Sequence, residues 1–226
     1  MGKLVNTKQS HAILQALASN VDWDVLDGDN LQQQVINNPK EAGAHFTIFL
    51  KNGARLAKSW REQDGVIHFS VTSDGTTGEN WITRLESKGF RADNYAKQVL
   101  RLPDFKPTNG VTTEVTVLKG MLFDDQSRIT EKIRAEAGKR KLLKPNAEVA
   151  CLIREKFTDQ EIEAMGLWWI VTMHEPIKDS DGDPSLLQAS RSDGGRWLNT
   201  YNDEPDDTWD CANGFAFTVS QVSPLG

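Results

Sequence analysis

Apolar positions in the first hundred residues recur mostly at helical spacing. Ile13, Leu14 and Leu17 predict a helix over residues 7–19, and Leu31, Val35 and Ile36 begin a second short amphipathic stretch. Pro39 suits the first turn of a third helix running through Phe46, Ile48, Phe49 and Leu50 to a stop at Asn52-Gly53. The period then changes to two at residues 66–71, Val-Ile-His-Phe-Ser-Val, a short strand. Trp81, Ile82 and Leu85 return to helical spacing until Gly89, and Asp93 caps a further helix carrying Tyr95, Val99 and Leu100.

Residues 102–110, Leu-Pro-Asp-Phe-Lys-Pro-Thr-Asn-Gly, carry two prolines and a glycine, and we place the domain boundary near residue 105. Beyond it, residues 112–118 are β-branched and alternating, Ile129, Ile133 and Ala137 mark one helix, and residues 147–157 a second. Thr158 and Glu161 form a capping box, with Gly166 as the left-handed stop. Residues 168–173 read as a buried strand, short strands and turns follow, and residues 215–222 alternate once more. The expected fold class is α+β, with a mostly helical domain over residues 1–105 and a mixed domain over 106–226.

Residues 186–217 break this regularity. Trp197, Leu198, Trp209, Gly214, Phe215 and Phe217 read as a packed frame. Between them lie small polar side chains: Ser190, Ser192, Asn199, Thr200, Tyr201, Asn202, Asp203, Asp207, Thr208, Asp210, Cys211 and Asn213. A frame holding positions with few packing constraints is how a binding surface is built, and these twelve are the candidate ligand contacts. Tyr201 is the strongest single anchor among them, since aromatic residues dominate binding hot spots.

Composition narrows the partner. The 226-residue chain has a formal net charge of −6, and nine acidic residues between positions 179 and 213 face only Arg191 and Arg196. Such a face repels nucleic acid and attracts a basic or polar partner, an unidentified protein or cell-surface ligand. The basic run at residues 134–141 complements a helix C-terminus and is small for a nucleic-acid patch. Two cysteines make no disulfide framework and point to a reducing compartment. With no signal-like or membrane-spanning apolar run, the expected location is cytoplasmic.

The order strand, two helices, strand, irregular loops, terminal strand resembles C-type-lectin-like domains, in which the first and last strands pair and the loops between carry the ligand site. Asp193-Gly194-Gly195-Arg196-Trp197-Leu198, Trp209 and Gly214-Phe215-Ala216-Phe217 further resemble the variable region of proteins diversified by retroelements. That resemblance implies that Asn codons in this segment are altered at their adenines. The products reachable that way include Asn, Asp, Ser, Thr, Ala, Cys and Tyr, the residues present at 199–203, 207, 208 and 210–213. Trp197, Glu204 and Trp209 are not reachable. The implied function is non-enzymatic ligand binding, without a cofactor or metal; the alternative is an interaction protein of fixed specificity on the same fold.

Other chemistry in the chain reads more weakly. Asp179-Ser180-Asp181-Gly182-Asp183 resembles half a calcium loop, yet the twelfth position is Ser190 rather than a glutamate, so an Asp-rich turn is the expectation. The formylglycine-generating relatives of the fold use an active-site cysteine pair, whereas here Cys211 is in the loops and Cys151 on a predicted helix. His174, after a strand, reads as structural. Adjacent Trp168 and Trp169 invite a sugar-stacking reading, but neighbouring strand residues point to opposite faces. Both are expected to be buried.

Overall fold

The computed structural model describes residues 6–51, 59–192 and 195–219, with the side chain of Ser192 left out. Two compact units divide the chain, residues 1–58 and 59–226. In the first, α1 (Thr7–Ala18), α2 (Gly28–Leu31) and α3 (Pro39–Lys51) follow the predicted pattern. Asn6 and Gln9 form a reciprocal cap on α1. None of these helices carries a buried residue. The predicted stop at Asn52-Gly53 lies outside the described residues.

Among the described residues, the second unit is built on one ten-stranded mixed sheet. Its elements in chain order are β1 (Arg61–Gln63), β2 (Val66–Asp74), α4 (Gly78–Ser87), β3 (Arg91–Ala92), α5 (Asn94–Arg101), β4 (Asn109–Lys119), α6 (Thr130–Lys139), β5 (Leu142–Leu143), α7 (Glu148–Lys156) and α8 (Asp159–Ala164). The strands β6 (Trp169–Thr172), β7 (Ile177–Lys178), β8 (Pro184–Ser192), β9 (Gly195–Asn202) and β10 (Asn213–Val219) complete it. The spatial order is β1-β2-β4-β10-β6-β8-β9-β3, with β5 against β10 and β7 against β8. The chain is thus α+β, with helices and a large mixed sheet.

Local signals set the element ends. Asp93 accepts from the Ala96 N–H, starting α5, and Thr158 and Glu161 cap α8 reciprocally. Gly89 and Gly166 take φ of 77° and 73°, the left-handed conformation that ends α4 and α8. The terminal strand is described as far as Val219, and residues 220–222 lie outside the described part.

The boundary expected near residue 105 does not separate compact units; the division falls between residues 58 and 59. The reason is long-range packing. Strand β2 pairs with β4 from Val66↔Leu118 to Asp74↔Asn109, across the very connector that reads as a linker. Phe105, in that connector, is buried, and buried Glu148 on α7 accepts from the Thr108 N–H (2.7 Å) and from Trp81 Nε1 (3.4 Å). Trp81, Leu85, Val99 and Leu100 share a core with Val115, Phe157 and Leu198. Burying each such large apolar side chain is worth about 2 kcal/mol. Residues 59–105 are therefore part of the mixed unit, not of a helical N-terminal domain.

This division is testable by truncation. Residues 59–226 expressed alone are expected to unfold cooperatively, as judged by circular dichroism melts. Residues 106–226 are expected not to fold, because they lose β2, α4 and α5. A cooperative melt from 106–226 contradicts the single-core account.

Candidate functional site

Strand register sorts the candidate residues before any cavity is considered. Side-by-side residues on neighbouring strands share a face. On one face of the sheet a row runs Asn213, Trp169, Ser190, Trp197, followed by Phe215, Val171, Gln188, Asn199. A third row brings Leu186 beside Tyr201. The face is therefore polar at one end and apolar at the other. Its apolar end is a second core in which Phe215, Phe217, Val171 and Leu186 meet Phe123, Trp209 and Ile133 of α6.

Trp209 is the centre of that core. Its indole Nε1 donates to Thr130 Oγ1 at 2.9 Å, its ring stands edge-on to Phe215 at 5.5 Å, and Tyr201 lies 4.3 Å from it. Arg128 reaches over the same region, donating to the carbonyls of Gly120 and Phe123 at 2.9 Å each and of Trp209 at 3.5 Å. The turn at 210–213 rests on Gly120, where a Cβ would come within 2.6 Å of the Asp210 carbonyl. At Gly214 a Cβ would lie 2.7 Å from Val117 and 2.8 Å from Leu167, so only glycine lets β10 pack there.

Of the expected frame, Leu198, Trp209, Gly214, Phe215 and Phe217 are buried. Trp197 is not a core residue; it is half-buried, with the Arg91 guanidinium 5.3 Å from its ring. The twelve candidate contacts separate as well. Ser190, Asp203 and Asn213 are buried rather than displayed. Ser190 accepts from Asn199 Nδ2 at 3.1 Å, and Asp203 pairs with Arg134 at 2.7 Å while its N–H donates to the Pro184 carbonyl. Thr208 bridges to Ile129, and Thr208, Asp210 and Cys211 are exposed. Ser192 has no described side chain, and Asp193-Gly194 lie outside the described residues.

Four of the candidates meet in one place. Thr200, Tyr201, Asn202 and Asp207 line a cavity of about 500 Å³ together with Tyr95, Asp179, Asp181, Asp183 and Glu204. Both tyrosines of the chain are here. Asp179 organises the adjoining turn, accepting from the N–H groups of Asp181 (2.9 Å) and Asp183 (3.0 Å). Burial and the charge of Asp207 hold the Tyr201 phenol above its ordinary pKa. Among the described residues none of these carboxylates is paired with a basic side chain. The cavity suits a polar or basic group.

A second cavity, about 350 Å³, is lined by Trp168, Trp169, Asp210 and Asn213. The indoles expected to be buried are not: Trp168 is 47% exposed and Trp169 half-buried. The strand begins at Trp169, so the pleat that would set the two on opposite faces does not include Trp168.

The residues weighed for catalysis have other roles. His174 is buried; its Nδ1 donates to the Glu175 carbonyl at 2.6 Å and its Nε2 accepts from the Leu187 N–H at 3.0 Å, so neither nitrogen is free for a substrate. Cys151 lies in the core of α7, where burial pushes its thiol well up, whereas Cys211 is exposed; both are free. Among the described residues no group of three or more His, Cys, Asp or Glu is placed to hold a metal ion. No described helix is long and apolar enough to cross a membrane. No family model, curated protein or solved structure matches the chain.

Two stability outcomes follow from this geometry. Trp209→Ala is expected to cost about 3 kcal/mol in denaturant melts, and Asn202→Ala within about 0.5 kcal/mol of zero. Burial lowers the His174 pKa to about 4 from its ordinary 6.5. Between those values the unfolded chain binds a proton that the folded chain does not. The stability held above the unfolded pKa therefore drains as pH falls, at about 1.4 kcal/mol per pH unit. Melts at pH 7 and pH 5 are expected to differ by about 2 kcal/mol for this reason, and His174→Gln to remove most of that difference.

Proposed function

We propose that this chain is a non-enzymatic binding protein whose loop face is diversified by a retroelement on a C-type-lectin-like scaffold. The observation that carries the reading is the meeting of Thr200, Tyr201, Asn202 and Asp207 in one unneutralised acidic cavity beside a packed aromatic core. Tyrosine, threonine, asparagine and aspartate give donors, acceptors and an amphipathic ring, the chemistry antibody loops use. The Trp209–Phe215 core keeps this surface rigid, which lowers the ordering cost of binding.

The scaffold assignment draws support from topology. Strand β4 pairs antiparallel with β10, so the first and last strands of residues 106–226 are neighbours. Helices α6 and α7 follow β4, and the candidate loops fall between β6 and β10. Strands β1, β2 and β3 and helices α4 and α5 are additions in front of that arrangement. The partner is a protein or cell-surface ligand presenting a basic or polar group.

A second reading, binding of fixed specificity on the same scaffold, is favoured by Ser190, Asp203 and Asn213. Their burial gives them structural work that random substitution would damage.

The encoding locus separates the two. The diversified reading expects a near-copy of codons 188–217, differing only at adenines, beside a reverse transcriptase gene. A complete locus without such a copy leaves fixed specificity.

A further inference from the structure

None of the described residues between 6 and 51 is buried, although three helices form there. Leu14, Trp23, Val25, Ile36 and Ile48 are each half or more exposed, Val25 at 74%. This short segment exposes eight large apolar side chains, against seven in the much longer remainder of the described chain. Helices α1 and α3 have 12 and 13 residues, a length that is marginal in water unless an apolar face is buried. A unit this small is held by a disulfide, a metal or a partner. The two cysteines lie at 151 and 211, and among the described residues no cluster is placed to hold a metal ion. The eight side chains hold on the order of 800 Å², what one partner contributes to a stable protein–protein interface.

Charge selects the partner. Helix α1 carries Lys8 and no carboxylate, whereas residues 22–29, Asp-Trp-Asp-Val-Leu-Asp-Gly-Asp, carry four aspartates and no base. Among the described residues neither Lys8 nor any of these aspartates forms an ion pair. Each segment also presents apolar side chains, Leu14 on α1 and Trp23 and Val25 among the aspartates. A uniformly basic partner would meet Lys8, and a uniformly acidic one the aspartates. Two segments of opposite charge on one unit match a second copy related by a two-fold axis, with α1 of each against residues 22–29 of the other.

We propose that residues 6–51 are a self-association module that joins two copies of this chain. This rests on that unit alone and stands whatever residues 59–226 bind. On the binding reading above, a two-copy particle presents its ligand surface twice. A partner with repeated sites is then held more tightly than a single copy could hold it.

The test is sedimentation velocity of the full chain over a range of concentrations. A species of twice the chain mass that dissociates on dilution is expected. Ile36→Glu and Ile48→Glu are each expected to raise its dissociation constant about tenfold or more, as loss of an interface anchor does. Both positions are exposed in the single chain, and glutamate is a good helix former, so neither change harms the helices themselves. Asp24→Lys combined with Asp29→Lys is expected to weaken association several-fold, and Lys8→Glu added to that pair to restore most of it. Met121→Glu, at an exposed residue of the other unit, is expected to change nothing. Thermal melts confirm that each variant keeps the core of residues 59–226. A monomer at every concentration overturns the proposal and assigns the apolar side chains to a cover other than a second copy. Association left untouched by Ile36→Glu, Ile48→Glu and the lysine pair also overturns it, because the contact would then lie outside residues 6–51.

Discussion

The placement of β10 between β4 and β6 is the constraint on which the rest of this structure depends. Asn213 through Thr218 are buried, antiparallel to β4 on one side and parallel to β6 on the other. That position requires Gly214, because Val117 and Leu167 leave no room for a Cβ. It also commits Phe215 and Phe217 to the core beneath Trp209. Once β10 is there, the turn before it must run over Gly120, and the loop from 203 to 209 must cross α6. The candidate contact residues are carried along by these commitments, with Tyr201 also packed on Trp209 and Thr208 bridged to Ile129.

The consequence is a division of labour within one stretch of chain. Asp203, Trp209 and Asn213 alternate with Asn202, Asp207, Thr208, Asp210 and Cys211, and only the first set is buried. Arg128 and Arg134 serve the buried set, one clamping three carbonyls and the other neutralising Asp203. The division leaves two cavities of contrasting polarity on either side of the same loop, one acidic with tyrosine walls and one lined by indoles.

Local chemistry was legible wherever a short-range signal sets the structure. The Thr158–Glu161 box, the Asp93 cap and the left-handed Gly89 and Gly166 need only a few consecutive residues to be recognised. What was not legible depends on distant partners. The Pro-rich connector at 102–110 does turn, but nothing local announces that β2 and β4 pair across it or that Glu148 seizes Thr108. Ser190, Asp203 and Asn213 read as surface because small polar side chains usually are. Their burial comes from tertiary packing, with Asn199 and Arg134 meeting the first two. Tyr95 was not legible as a site residue either: four residues before Val99, it shares that helix face and reads as part of the α5 apolar pattern, yet it is exposed and lines the acidic cavity. Trp168 was misplaced because its strand starts one residue later than the apolar run.

The central claim is that frame and contact positions are interleaved but energetically separate between residues 186 and 217. Saturation mutagenesis of that segment, scored for folded protein by protease resistance, tests it directly. The account predicts intolerance at Leu198, Asp203, Trp209, Asn213, Gly214, Phe215 and Phe217, with broad tolerance at Thr200, Asn202, Thr208, Asp210 and Cys211. Intolerance spread evenly over both sets would contradict it, and would mean that the loop face is part of the core rather than a surface laid upon it.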